Sequence, residues 1–225
     1  MTLDQIVPWG RSLREYRSMF SLTDADLAVR ILGCADGPAS FNAEVTALGG
    51  RVVSADPVYR FAADGIRARI AEVAPRVIDE LRRNAADYLW DEAGDADALG
   101  RLRLAAMDAF LADYDAGRAA GRYVDASLPA LPFADGAFDL ALCSHFLFLY
   151  SAQVDAAAHL AGVRELCRVA REVRIYPLVA LDNRPSPHLP AVLAALAAEG
   201  LTASVEPVAH RFQKGATEML RIVRG

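Results

Sequence analysis

The residues best suited to chemistry fall at four points along the chain. ILGCADGPAS (31–40) is an apolar run that ends in a turn of small residues, and Asp56 closes a second apolar run, VVSADP (52–57). Gly37 can adopt a backbone conformation that other residues avoid, and it lets a ligand approach the main chain. Asp56 lies about twenty residues beyond the turn, where an acid accepts hydrogen bonds from ribose hydroxyls. In LCSHFLFLY (142–150), His145 ends a third apolar run and has the near-neutral titration of a general base. WGRSLREY (9–16) brings Trp9, Arg11 and Tyr16 close to the first turn in sequence. The chemistry suggested is a nucleoside-like ligand held in a crevice, with proton transfer beside it. Each residue also has a plainer reading: a tight turn, a solvated strand-end acid, a histidine packed at a rim.

These residues need a scaffold that brings strand ends together. Residues 27–34 and 51–57 read as strands joined by a helix over 41–48 that stops at Gly49-Gly50, a parallel βαβ unit. Upstream, Ser12 and Glu15 have capping-box spacing, and Leu13, Tyr16 and Phe20 share one helical face. From 59 to 121 the pattern is almost wholly helical. Ile66, Ile70, Val73, Val77, Ile78 and Leu81 recur at helical spacing, as do Leu99, Leu102, Ala106, Met107, Phe110 and Tyr114. Pro75 is expected to kink or divide the first of these segments. Strands follow at 123–125 and 138–143, then a helix from about 152 to 169, a strand beginning at 171, a helix over 187–200 and a closing antiparallel pair. The fold expected is α/β: a doubly wound, mainly parallel Rossmann-like sheet with an antiparallel C-terminal strand. Residues 1–225 form one domain, with 1–28 as an N-terminal helical cap and 60–121 as a helical insertion serving as a lid.

The totals agree with one globular domain. The chain has 225 residues, 54% hydrophobic and 24% charged, with a formal charge of -5 and no long basic patch. That disfavours a nucleic-acid surface. Three cysteines without metal-ligand spacing read as free thiols of a reducing compartment. The N-terminus has no signal-peptide pattern, and the longest apolar run is too short to span a bilayer. A cytoplasmic protein is expected. His188 reads as a loop and helix-start residue, with contact to an acceptor beside Asn183 and Arg184 as the alternative; His159 and His210 are isolated, and no metal site is expected.

A later stretch, ALPFADGAFDLAL (130–142), adds a third motif. Together, ILGCADGPAS, VVSADP and ALPFADGAFDLAL resemble the class I S-adenosylmethionine-dependent methyltransferases, in which a Gly-rich turn such as GCGPG, an acid closing the second strand and a later ALPFPDGSFD occur in this order. The resemblance runs from Ile31 to the C-terminus, apart from the helical insertion. It implies methyl transfer from S-adenosylmethionine to a small molecule, with S-adenosylhomocysteine as product. It further implies that Gly33, Ala35, Asp36 and Gly37 wrap the methionine part. Asp56 would hold the ribose, Pro57, Ser127 and Leu128 the adenine, and Ser144 and His145 would adjoin the reacting methyl, with His145 as base. Arg11, Tyr16, Tyr59 and Tyr150 are the expected acceptor contacts.

The departures from the pattern are specific. Gly33 replaces the usual acid of the first motif, Ala35 and Ala39 replace glycines, and Ser127 replaces an acid. Asp36, shifted along the loop, is the candidate substitute for the first. Two rival readings remain open: a non-catalytic module that keeps the fold, and a nicotinamide-dependent oxidoreductase. The second would want the full G-x-G-x-x-G for its pyrophosphate, which this turn lacks.

Overall fold

A computed structural model describes residues 9–224. The first eight residues of the expected N-terminal cap lie outside that span. Seven strands form one sheet: β1 (Arg30–Cys34), β2 (Arg51–Ala55), β3 (Tyr123–Val124), β4 (Phe138–Ser144), β5 (Ala170–Tyr176), β6 (Thr202–Pro207) and β7 (Glu218–Val223). Their order is β3-β2-β1-β4-β5-β7-β6. The first five are parallel, and β7 runs antiparallel to both its neighbours. The chain winds outward from β1 to β3, then returns to lay β4 on the other side of β1. That reversal opens a crevice beyond the carboxyl ends of β1 and β4, where ligands bind in open α/β sheets.

Register fixes what meets there. Cys34 pairs with Ala55 on one side and Cys143 on the other, so the loops after β1, β2 and β4 leave the sheet at one level. β1 and β4 are buried on both faces, which is why they read as near-continuous apolar runs. On one face Leu32, Cys34, Ala141 and Cys143 pack with Val163 and Leu166 of α6 (Ala156–Val169). On the other, Ile31, Leu140 and Leu142 pack with α1 (Leu13–Phe20) and α3 (Phe41–Ala47). α1 begins with the expected capping box: the Ser12 amide donates to Glu15 at 3.0 Å. Tyr16 stacks on Phe41 with ring centroids 4.2 Å apart, locking α1 to α3. All three cysteines are free and buried.

The insertion consists of α4 (Ala63–Arg83) and α5 (Ala96–Ala119). α4 packs on α5, and α5 packs on α3 and β3. Pro75 does not divide α4, which runs through it as one helix. Val73 and Ala74 before the proline and Val77 after it are all buried, and this continuous apolar face outweighs the hydrogen bond that proline removes. Leu102 also departs from expectation: it is 55% exposed and lines an outer groove rather than the core. α6 starts at Ala156, later than its pattern suggests, because Asp155 caps it by accepting from the Ala158 amide; residues 146–154 form turns instead. α2 (Asp24–Leu27) and α7 (Leu189–Ala198) complete the helices of the described residues. None of these is long and apolar enough to cross a membrane.

Phe110 anchors the insertion. It is fully buried among Tyr59, Tyr114 and Tyr123, with centroid separations of 5.0–6.0 Å. Phe110→Ala is expected to lower stability by about 3–5 kcal/mol in urea unfolding, whereas truncating exposed Leu102 should change it by less than about 0.5 kcal/mol.

Candidate functional site

The loop after β1 is shaped by two left-handed residues, Ala35 (φ 57°) and Gly37 (φ 54°). Gly37 takes this conformation freely, but Ala35 does so under strain. Between them, Asp36 turns back beneath the loop. Its Oδ1 accepts from the Tyr16 hydroxyl at 2.7 Å and its Oδ2 from the Ser54 hydroxyl at 2.7 Å. A Cβ on residue 33 would lie 1.8 Å from Asp36 Oδ2. Gly33 therefore leaves open the space that the Asp36 carboxylate occupies. Burial raises the Asp36 pKa to about 6, against the two hydroxyl bonds that favour its charge, and neighbouring Asp56 pushes the same way as burial.

Asp56 follows β2. It caps a 3-10 turn (Pro57–Arg60) by accepting from the Val58 amide at 2.8 Å, and it also accepts from the Gly37 amide at 2.9 Å. One carboxylate thus ties the two loops and retains lone pairs toward the crevice. Burial raises its pKa as well.

Across the crevice, His145 follows β4 in a left-handed conformation (φ 53°), with its amide donating to the Tyr176 carbonyl at 2.8 Å. Its Nδ1 lies 3.0 Å from the Ser144 hydroxyl. Burial, then the positive charge of Arg11, hold its pKa well below the ordinary histidine value, so the imidazole is neutral at physiological pH. Arg11 comes from the N-terminal strap. Gly10 presses on the Pro38 carbonyl so closely that a Cβ would lie 2.0 Å from its oxygen, and the Ser40 amide donates to the Arg11 carbonyl at 3.1 Å. The strap is thereby stapled to the loop.

These parts enclose a cavity of about 470 Å³, within the range of small-molecule sites. Ala35, Asp36, Gly37, Asp56, Pro57, Ser127, Leu128, Ser144, His145, Arg11, Tyr16 and Tyr150 all line it. Gly33 and Tyr59 do not. Gly33 lies beneath the loop, making room for Asp36. Tyr59, expected to touch an acceptor, is buried in the aromatic cluster and supports the loop from outside by donating to the Gly37 carbonyl at 2.7 Å. Sequence reasoning missed Arg69 of α4, together with Phe146 and Leu149, which line the cavity from a stretch read as the end of a strand and the approach to a helix. It also missed the contact of fully buried Arg103 on α5 with Glu15. An arginine among apolar residues of a helical pattern was its only signal. Among the described residues, no group of three or more His, Cys, Asp or Glu could hold a metal ion.

No protein-family profile matches this chain. An uncharacterized protein from Methanocaldococcus jannaschii is 29% identical over 227 residues, covering 100% of this chain and 99% of that protein. Among solved structures, the magnesium protoporphyrin IX methyltransferase from Synechocystis with bound S-adenosylhomocysteine is similar at a TM-score of 0.47 and 14% identity, covering 90% of this chain and 77% of that one. A putative S-adenosyl-L-methionine-dependent methyltransferase from Methanococcus maripaludis is similar at 0.46 and 11% identity, covering 94% and 82%.

The loop geometry predicts opposite effects at adjacent positions. Gly33→Ala drives a Cβ into the Asp36 carboxylate and should lose about 3 kcal/mol, with Asp36→Ala in the same chain restoring much of it. Ala35→Gly relieves strain and should gain about 1 kcal/mol, or about 2–4 °C in Tm. Thermal unfolding of the three variants checks both.

Proposed function

We propose that the protein transfers a methyl group from S-adenosylmethionine to a small-molecule acceptor. The observation that carries this reading is the acid pair at the cavity floor. Asp36 and Asp56 lie beneath and beside a loop that allows close approach, at the topological switch point; burial pushes both toward neutrality, and neither has an ion-pair partner among the described residues. A ligand with an ammonium and a sulfonium supplies such a partner, whereas a pyrophosphate would meet repulsion. The floor therefore favours this donor over a dinucleotide. The cavity extends past the loop to His145 and Tyr150, which supports a transferase over a non-catalytic module with a closed acceptor pocket.

Bound there, S-adenosylmethionine would supply a sulfonium methyl for displacement by an acceptor lone pair, leaving S-adenosylhomocysteine. Asp36 would take the ammonium of its amino-acid part, the free lone pairs of Asp56 its ribose hydroxyls, and Pro57, Ser127 and Leu128 its adenine. His145, neutral and at the far strand end, would accept the proton an acceptor releases. The strap and the N-terminal part of α4 would act as the lid that excludes water. Much of the acceleration would come from alignment.

Calorimetric titration with S-adenosylmethionine, S-adenosylhomocysteine, NAD and NADP tests this. The two sulfur compounds should bind saturably, and Asp56→Ala should weaken them at least about tenfold, roughly 1.4 kcal/mol. Folded protein that binds neither would end the proposal. The pH dependence has a defined sign. A cation at Asp36 lowers its pKa below about 6, so binding releases a proton near pH 6 and affinity falls as pH drops further. Asp36→Asn should remove that dependence. Once an acceptor is found, His145→Ala should lower kcat by about 10²–10⁴ with S-adenosylhomocysteine affinity unchanged. Undiminished turnover would remove His145 as base.

A further inference from the structure

The acceptor end of the cavity carries a positive charge that no ion pair among the described residues neutralises. Arg11 from the strap, Tyr16 of α1 and His145 after β4 line the cavity there; behind them Glu15 of α1, Arg103 of α5, and His210 and Arg211 before β7 line an adjoining groove, and Tyr176 ends β5. Glu15 is already engaged by Arg103 and by the Ser12 amide and hydroxyl. Both histidines are pushed toward their neutral forms, chiefly by burial. Three guanidiniums and one carboxylate remain; Arg211 donates to the Val208 and His210 carbonyls on the groove, so within the cavity the excess falls on Arg11. No ion pair forms on Arg11 among the described residues. Its Nη1 donates to the Trp9 carbonyl at 3.1 Å, and its Nε is buried without a partner. Burial and the charge of Arg103 lower even its guanidinium pKa, to about 10. A buried, unpaired cation opposes folding. A fork of this kind matches a carboxylate in two hydrogen bonds.

We propose that Arg11 is a carboxylate-binding residue and that the methyl acceptor is an apolar organic acid. This rests on the methyl-transfer reading above. Position separates the acceptor from the donor as the source of that carboxylate. The donor's ribose and ammonium groups would lie at Asp56 and Asp36, over β2 and β1. The groups interacting with Arg11 include Tyr16, which bonds Asp36, and also His145 and Tyr176, at the ends of β4 and β5 on the other side of β1. Phe146, Leu149 and Tyr150 supply apolar wall at that end, suited to an aromatic or branched aliphatic body. The staple of the strap to the loop at Gly10–Pro38 and Ser40–Arg11 sets the fork in place before the acid arrives.

The test uses the full chain, with and without saturating S-adenosylhomocysteine. Benzoate, phenylacetate and indole-3-acetate are titrated beside their three primary amides. At least one acid should bind at least tenfold tighter than its amide. Arg11→Gln should abolish that preference while changing S-adenosylhomocysteine affinity less than threefold. Arg11→Lys keeps the charge but loses the fork, and should retain only part of the preference. Because the unbound cation is unpaired, Arg11→Met should raise the ligand-free Tm, whereas a residue of purely structural role would lower it. Equal binding of acids and amides, or no binding of any acid, would overturn the proposal. So would an Arg11→Gln protein that loses tenfold in S-adenosylhomocysteine affinity but none for 5′-methylthioadenosine, since that assigns the fork to the donor's own carboxylate. If S-adenosylhomocysteine fails to bind but the Arg11-dependent acid preference persists, the carboxylate site stands and the donor reading falls.

Discussion

A buried carboxylate with no cation beside it organises one end of this cavity. Asp36 is 8% exposed and reaches into the space that a side chain on residue 33 would fill. It is held by hydroxyls from α1 and β2, and the network extends well beyond it. Ser54 donates to Asp36 and accepts from the Asn42 amide at 3.1 Å; the Asn42 carbonyl in turn accepts from Arg122, which pairs with Asp113. Tyr123 donates to the same Asp113 at 2.8 Å. One chain of hydrogen bonds thus runs from α1 across β2 to β3 and α5. A satisfied network of this kind fixes geometry because any broken link leaves a buried polar group unpaired.

The two ends of the cavity are opposite in sign. Acids at the ends of β1 and β2 lack a cation, and a guanidinium near β4 and β5 lacks an anion. Among the described residues no hydrogen bond or ion pair joins the two ends, although both line one cavity. A fold optimised for stability alone would pair or remove them. A ligand pair with a cationic donor and an anionic acceptor would satisfy both, and would be drawn into one orientation by the same charges.

Much of this was legible in the sequence, and the exceptions have physical causes. The alternation of apolar runs with helical spacing gave the strands, their mainly parallel arrangement and the antiparallel end, since each pattern reflects which faces are buried. Asp36 was legible as a displaced acid, but the reason Gly33 precedes it was not: that depends on a contact made only when the loop folds back. Tyr59 and Leu102 show the limit of periodicity. An aromatic residue beside a ribose acid looks like a wall of the site, yet Tyr59 turns into an aromatic cluster whose other members lie more than fifty positions away. Leu102 has the right spacing for the core but the wrong neighbours. Pro75 was read by its local cost, which continuous burial along α4 overrides. Arg11 was legible only as a cation near the crevice, because its missing partner depends on which groups α5 and the segment before β7 bring beside it.

Backbone strain points to the same place. Of the five non-glycine residues with positive φ among the described residues, Ala35, His145 and Phe148 lie at or beside the cavity, while Ser21 and Asn183 do not line it. Left-handed backbone costs about 1–2 kcal/mol at such residues, so it persists only where surrounding structure holds it. At His145 the holding bond is to the Tyr176 carbonyl, which ties the strain to the last turn of β5. Without it, the chain leaving β4 would continue extended and carry the imidazole away from the loop after β1. The strained peptide aims His145 across the crevice at the donor side. Strain, unpaired charge and a displaced acid therefore coincide in one cavity, as expected where selection has favoured a binding geometry over the most stable chain.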